Sequence, residues 1–316
     1  MGMIKVLLDQ DTGIDDAMAL AYALGSKEID LIGITGTFGN VYTEEGVQNV
    51  LNILNMCNAN EIPVYAGETH AITKDHFTRL EVSARIHGEN GVGQVEIETS
   101  PKKKETQSGV DFIIKSVKKY REELVIVTTG PITNLALALQ KAPEIKDMVG
   151  KVVIMGGALT VPGNCNAYTE ANISQDPEAA KYVFESGLDV TMVGLDVTQR
   201  SILTNADTQR WRETGSVAGR TYADMVDYYI SQHDVAIKGC YLHDPSAVIH
   251  AVHPEYFVML AMHMTVTTEG EAEGRTIGDP SKLRDPNPNV KVCIGVDSQT
   301  LVNDLNEVLL TLFKQN

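Results

Sequence analysis

Along the first two-thirds of the chain, short and nearly continuous apolar runs alternate with stretches of helical period. Strands are expected at 3–8, 31–37, 63–66, 124–128, 152–155 and 190–195. Between them, a helix is expected over 15–24. Another spans 43–57, with Val47, Val50, Leu51 and Leu54 on one face. Pro131 opens a third that carries Leu135, Ala138, Leu139 and Ala142 before Pro143 stops it. Asp176-Pro177 caps and starts a fourth that ends near Ser186. Strands this apolar are buried on both faces, so the pattern predicts an α/β fold, an open and mostly parallel sheet with helices on both faces. The last third is less regular. Helices are expected near 204–214, 217–233 and 244–252. Strands at 256–268 and 290–296 flank a polar stretch, 269–289, and a final helix over 298–314 sets Leu301, Leu305, Val308 and Leu312 on one side. No repeat or linker divides the chain, so one domain over 1–316 is expected.

Charge and cysteine usage narrow the function. Asp and Glu number 42 against 26 Lys and Arg, a net charge of −16 over 316 residues. A surface this acidic repels a phosphate backbone and an anionic membrane, which excludes general nucleic-acid binding. No apolar run is long enough to span a bilayer. Residues 1–8 lack the basic start and cleavage site of a signal peptide. Cys57, Cys165, Cys240 and Cys293 show no paired spacing, which suits free thiols in a reducing, cytoplasmic setting. One connection, about 40 residues between the strand ending near Ala66 and a helix near Gly109, is too long for a turn. It carries His70, His76 and the run His87-Gly88-Glu89-Asn90-Gly91, and is expected to be a lid or binding loop.

The sharpest chemical signal is Leu7-Leu8-Asp9-Gln10-Asp11-Thr12-Gly13-Ile14-Asp15-Asp16. An apolar strand runs into four aspartates, and a helix follows. In open α/β sheets the carboxyl end of a strand is where ligands bind. Crowded carboxylates repel one another unless a cation neutralises them, and oxygen donors suit Ca²⁺ or Mg²⁺ rather than zinc. Capping the helix accounts for one of Asp15 and Asp16 but not for all four. Three later segments follow strands and are expected to complete the site: Val127 to Pro131, the amide-rich loop Asn164 to Asn172, and His243-Asp244-Pro245.

These residues resemble the inosine–uridine-preferring nucleoside hydrolase family. Asp9 to Asp16 matches its Asp-x-Asp-Pro-Gly-x-Asp-Asp opening except at Thr12, where proline would add rigidity rather than chemistry. Thr35 to Asn40, Thr129 to Leu135, Met155-Gly156-Gly157, Glu170-Ala171-Asn172, Asp176 to Ala180 and His243-Asp244-Pro245 follow in family order. The resemblance implies a Rossmann-like sheet, a ribonucleoside N-ribohydrolase, one bound Ca²⁺, and assembly as a homodimer or homotetramer. It implies Asp11, Asp16, Asp244 and the Thr129 carbonyl as metal ligands. Asp15, Asn40, Asn164, Glu170 and Asn172 would read ribose hydroxyls, with Met155 beneath the sugar. Asp11 would act as base, and His243 would protonate the leaving nucleobase or relay a proton to it. His87, Tyr228, Tyr229 and Gln232 are candidates for the nucleobase pocket, as are Asn166 and Tyr168. Two rivals remain at this stage. One is a haloacid-dehalogenase-type, Mg²⁺-dependent phosphatase with the first aspartate as nucleophile. The other is a calcium-dependent nucleoside binder without turnover.

Overall fold

The computed structural model describes residues 2–282 and 284–316. In chain order the strands are β1 (Ile4–Gln10), β2 (Ile29–Gly36), β3 (Val64–Ala66), β4 (Leu124–Thr128), β5 (Lys151–Met155), β6 (Val190–Val193), β7 (Ile202–Leu203), β8 (Cys240–Tyr241), β9 (Phe257–Met262), β10 (Met264–Val266), β11 (Thr276–Gly278) and β12 (Val290–Val296). The α-helices are α1 (Ile14–Gly25), α2 (Thr43–Met56), α3 (Glu81–His87), α4 (Gly109–Tyr120), α5 (Thr133–Lys141), α6 (Ala171–Gln175), α7 (Pro177–Glu185), α8 (Leu195–Thr198), α9 (Asn205–Arg212), α10 (Val217–Gln232), α11 (Asp244–Val252) and α12 (Ser298–Phe313).

Eight strands form the central sheet in the order β3-β2-β1-β4-β5-β6-β12-β9. All pair in parallel except the edge strand β9, which runs antiparallel to β12. The open, mostly parallel sheet expected from the apolar runs is therefore what the chain forms. Strand β1 lies between β2 and β4, with Leu8 opposite both Ile34 and Val127. The chain order reverses beside β1, and in open sheets a crevice opens at such a point.

The sheet separates two apolar layers. One contains α1, α2, α10, α11 and α12, and the other α4, α5 and α7. Helix α1 is buried from Ile14 to Ala23 and apolar nearly all round, as a core helix must be. It can follow β1 so tightly because Gly13 has almost no space beside it. A Cβ there would lie 2.6 Å from His87 Nδ1 and 2.8 Å from Asn40 Nδ2. All four cysteines are free thiols.

Two expectations need correction. The strand expected over 256–268 breaks in two: β9 stays in the main sheet, whereas β10 turns away and pairs with β11. Strand β11 lies inside the stretch read as polar loop, where the surrounding Gly and Pro mask a three-residue pairing. Helices α3 and α6 were also not anticipated, being seven and five residues long. Among the described residues no helix is long and apolar enough to cross a membrane.

Candidate active site

The ends of β1, β4 and β5 and the start of α11 converge on one cavity of about 240 Å³. Its wall includes Asp15, Asn40, Thr129, Met155, Asn164, Glu170, Asn172, His243 and Asp244, all expected from the sequence. Asp11 and Asp16 are fully buried beside it.

Carboxylate oxygens of Asp15, Asp16 and Asp244 lie within 4.8 Å of one another, and all three residues are buried. Each of the other contacts fixes a particular oxygen. Asp16 accepts hydrogen bonds from Gly13 N at 2.7 Å and Thr129 Oγ1 at 2.7 Å, so it caps α1 as well as facing its neighbours. Asp11 accepts from Asn40 N at 2.6 Å, and Asn40 Nδ2 lies 3.4 Å from Asp11 Oδ1 and 3.2 Å from Asp16 Oδ2. Asp15 accepts from the Tyr229 hydroxyl at 3.2 Å. Asp15 Oδ1 and Asp244 Oδ2 are buried without a hydrogen-bond partner.

Burial drives the electrostatics. It raises the Asp16 carboxyl to about 6, and the Asp15 charge adds to the effect. Asp11 rises well above the usual carboxylate range through burial and the Asp16 charge. Asp244 does the same through burial and then Asp15, Asp16, Asp11 and Glu170. Acceptor-only oxygens that are buried, crowded and partly unpaired fit a hard divalent cation, which would supply the missing partner.

Asp9 behaves differently. In register opposite Thr35, it accepts from Thr35 Oγ1 and from Asn134 Nδ2, the latter at 2.8 Å. It is fully buried and absent from the cavity wall. Of the four aspartates only Asp15 lines the cavity; Asp11 and Asp16 are joined to each other's surroundings through Asn40, whereas Asp9 is held by Thr35 and Asn134.

The residues expected to read ribose hydroxyls are held in place by backbone contacts. Glu170 accepts from Gly157 N, Asn172 N and Ile173 N at 2.9 to 3.1 Å. Asn172 Nδ2 donates to the Thr129 carbonyl at 2.8 Å and approaches Met155 O at 3.2 Å and Met155 Sδ at 3.3 Å. Asn164 Oδ1 accepts from Ala171 N at 3.0 Å.

An aromatic and imidazole wall closes the other side. The long segment between β3 and α4 delivers His87, which accepts from Ile14 N at 3.1 Å. Burial lowers its pKa to about 4. Its ring stacks on Tyr229 at 5.4 Å, Tyr229 meets His233 at 4.6 Å, and Tyr241 lies 5.8 Å from both His233 and His243. His243 Nδ1 is 2.8 Å from Thr198 Oγ1, and burial lowers its pKa to about 3, with His233 and His87 adding to the effect.

His87 and Tyr229 line the cavity, but Tyr228 and Gln232 do not. The Tyr228 hydroxyl donates to Arg85 O at 3.1 Å, and Gln232 pairs with Ser231. Asn166 lies in a neighbouring groove, and Tyr168 lines neither space. Sequence reasoning missed His233 and Tyr241. Only His233 had a signal, since it follows Tyr229 by one helical turn.

Residues 6–303 match the family model described as inosine-uridine preferring nucleoside hydrolase. A solved purine-preferring ribonucleoside hydrolase from Gardnerella vaginalis is 53% identical and superposes with a TM-score of 0.97, over 99% of this chain and 100% of that one. A probable uridine nucleosidase 2 from Arabidopsis thaliana is 36% identical over 97% of both chains. The pyrimidine-specific ribonucleoside hydrolase RihA of Escherichia fergusonii is 35% identical over 97% of this chain and 98% of its own.

Proposed function

This chain belongs to the inosine-uridine preferring nucleoside hydrolase family, and we propose that it hydrolyses the N-glycosidic bond of ribonucleosides with the help of Ca²⁺. Ribose and a free nucleobase are the products. The observation that carries this reading is the convergence of Asp15, Asp16 and Asp244 in a cavity walled by amides on one side and aromatic rings on the other.

Asp16 and Asp244 of that cluster, with Asp11 and the Thr129 carbonyl, would hold the cation, and the cluster's third member, Asp15, would face the sugar. Once bound, it would polarise a water molecule and lower that water's pKa. Asp11, buried beside Asp16 and held by Asn40, is the group to accept the water's proton. Asp15, Asn40, Asn164, Glu170 and Asn172 hold the hydroxyls, and Met155 supports the sugar from below. Cleavage passes through an oxocarbenium-like state, and the surrounding carboxylates favour its positive charge. Burial disfavours a charged His243, so it would hydrogen-bond the leaving base and relay a proton to it while taking a replacement at its other nitrogen, where the Thr198 hydroxyl lies 2.8 Å away. His87 and Tyr229 provide surfaces for the base. Four free thiols are in keeping with action in the cytoplasm, and assembly as a homodimer or homotetramer belongs to the same reading.

The test is a reducing-sugar assay over purine and pyrimidine nucleosides, before and after thorough chelation. Ribose release that chelation abolishes and Ca²⁺ restores is expected. Phosphate release from a phosphomonoester with no ribose release from any nucleoside overturns the proposal.

A further inference from the structure

The segment 156–170 links β5 to α6 with no strand or helix of its own. It carries Asn164 and ends on Glu170, two of the groups assigned to the sugar. Backbone groups in such a segment need partners from outside it. Its opening limb is gripped on both sides. Asp196, fully buried in α8, accepts from Leu159 N at 2.8 Å, Thr160 N at 2.7 Å and Thr160 Oγ1 at 2.6 Å. On the carbonyl side stands Arg275, directly before β11. Its Nη2 donates to Leu159 O at 2.9 Å, and its Nη1 donates to Val161 O at 3.1 Å and to Tyr168 O at 2.9 Å. One guanidinium thus ties the outgoing limb of the loop to the returning one, with Asn164 between them in the chain.

The β10–β11 pair sets the guanidinium against the loop. Arg275 O accepts from Thr267 N at 2.9 Å, and the Thr276 hydroxyl both accepts from Ala158 N and donates to Ala158 O at 2.9 Å. Gly274, at φ +83°, approaches α6 so closely that a Cβ would lie 3.0 Å from Ser174 Cα. The hairpin is therefore fixed both to the loop and to the helix that follows it. A planar fork of donors serves several carbonyls at once, which the single ammonium of lysine does not.

We propose that Arg275 is a positioning residue for the reaction: through the Leu159, Val161 and Tyr168 carbonyls it fixes the loop that presents Asn164 and Glu170 to the sugar. The inference rests on the hydrolase reading. Arg275 is absent from the cavity wall, so it acts only through that loop.

The experiment uses Arg275→Met, which keeps much of the stem and removes the donors, with Arg275→Lys, Asn164→Ala and Tyr229→Phe. On whichever of uridine and inosine is cleaved faster, Arg275→Met should lower kcat/KM by about ten- to a hundredfold, the scale of a displacement of about 1 Å in a positioned group. The loss should be the same on 4-nitrophenyl riboside, because the brace bears on the sugar and not on the leaving group. Arg275→Lys should recover only part of it. Most of the cost of Arg275→Met should vanish in the Asn164→Ala background and persist in full in the Tyr229→Phe background, since groups acting through one element are not additive. Amide exchange in 158–169 should quicken in Arg275→Met while 9–16 keeps its protection, a readout that needs no turnover. Unchanged kinetics, or full additivity with Asn164→Ala, overturns this inference and leaves the hydrolase reading standing. Failure of the intact enzyme to cleave any nucleoside removes that reading, and amide exchange then decides the brace alone: protection that Arg275→Met leaves unchanged overturns it.

Discussion

The side-chain amide of Asn172 donates a 2.8 Å hydrogen bond to the backbone carbonyl of Thr129, joining the loop that follows β5 to the turn that follows β4. That carbonyl is one of the oxygens assigned to the cation. Removing the amide should therefore weaken both sugar recognition and the order of the metal site. We expect Asn172→Ala to lower kcat/KM by about ten- to a hundredfold, the scale of losing one or two buried hydrogen bonds. Steady-state kinetics with a parallel Ca²⁺ titration checks this. Unchanged kinetics would show that the amide bears on neither.

Because the carboxylate cluster is strained by its own charges, cation binding should stabilise the fold. At a hundredfold excess over Kd the gain is about 2.7 kcal/mol, or roughly 5 °C in Tm for a chain of this size. Asp244→Asn should lose most of that Ca²⁺-induced shift. It should also melt above the metal-free parent, since one of the converging charges is gone. Differential scanning calorimetry with and without Ca²⁺ decides; equal shifts in both proteins would remove Asp244 from the ligand set.

His243 should matter in proportion to how poorly the base departs. With inosine or uridine, His243→Ala should reduce kcat by about 10²–10⁴-fold. With 4-nitrophenyl riboside, whose leaving group departs as a stable anion, the loss should stay within about tenfold. Similar losses on both substrates would remove His243 from proton transfer.

His250 offers a stability test away from the catalytic chemistry. It is 1% exposed, with Nε2 3.4 Å from Met259 Sδ and Nδ1 unpartnered. Burial, with Lys151 and Lys291 adding, lowers its pKa from 6.5 to about 4. The unfolded chain therefore takes up this proton first as pH falls. The associated stability is fully present above pH 6.5 and is lost progressively toward pH 4, up to about 3 kcal/mol. His250→Leu should match the parent near neutrality and outlast it increasingly from pH 6 down to pH 4.5 in urea denaturation. A constant difference across that range would assign acid sensitivity elsewhere.

What could be read from the sequence followed the range of the forces involved. Strands β1, β4 and β5 and their trailing site residues were legible because apolar runs and turn chemistry are local. The fate of Asp9 was not, since its partners Thr35 and Asn134 come from β2 and α5. His233 was hidden behind its neighbour Gln232, although the helical period from Tyr229 pointed to it. The β10–β11 pair stayed hidden because a three-residue strand between Gly and Pro has no period to show.

The carboxylates and His87 reach the crevice by different routes. Asp11, Asp15, Asp16 and Asp244 stand at strand or helix ends inside the scaffold, whereas His87 arrives at the Ile14 amide on an excursion that leaves the sheet after β3. Changes within that excursion can therefore reshape one wall of the crevice without moving the strand and helix ends that carry the carboxylates.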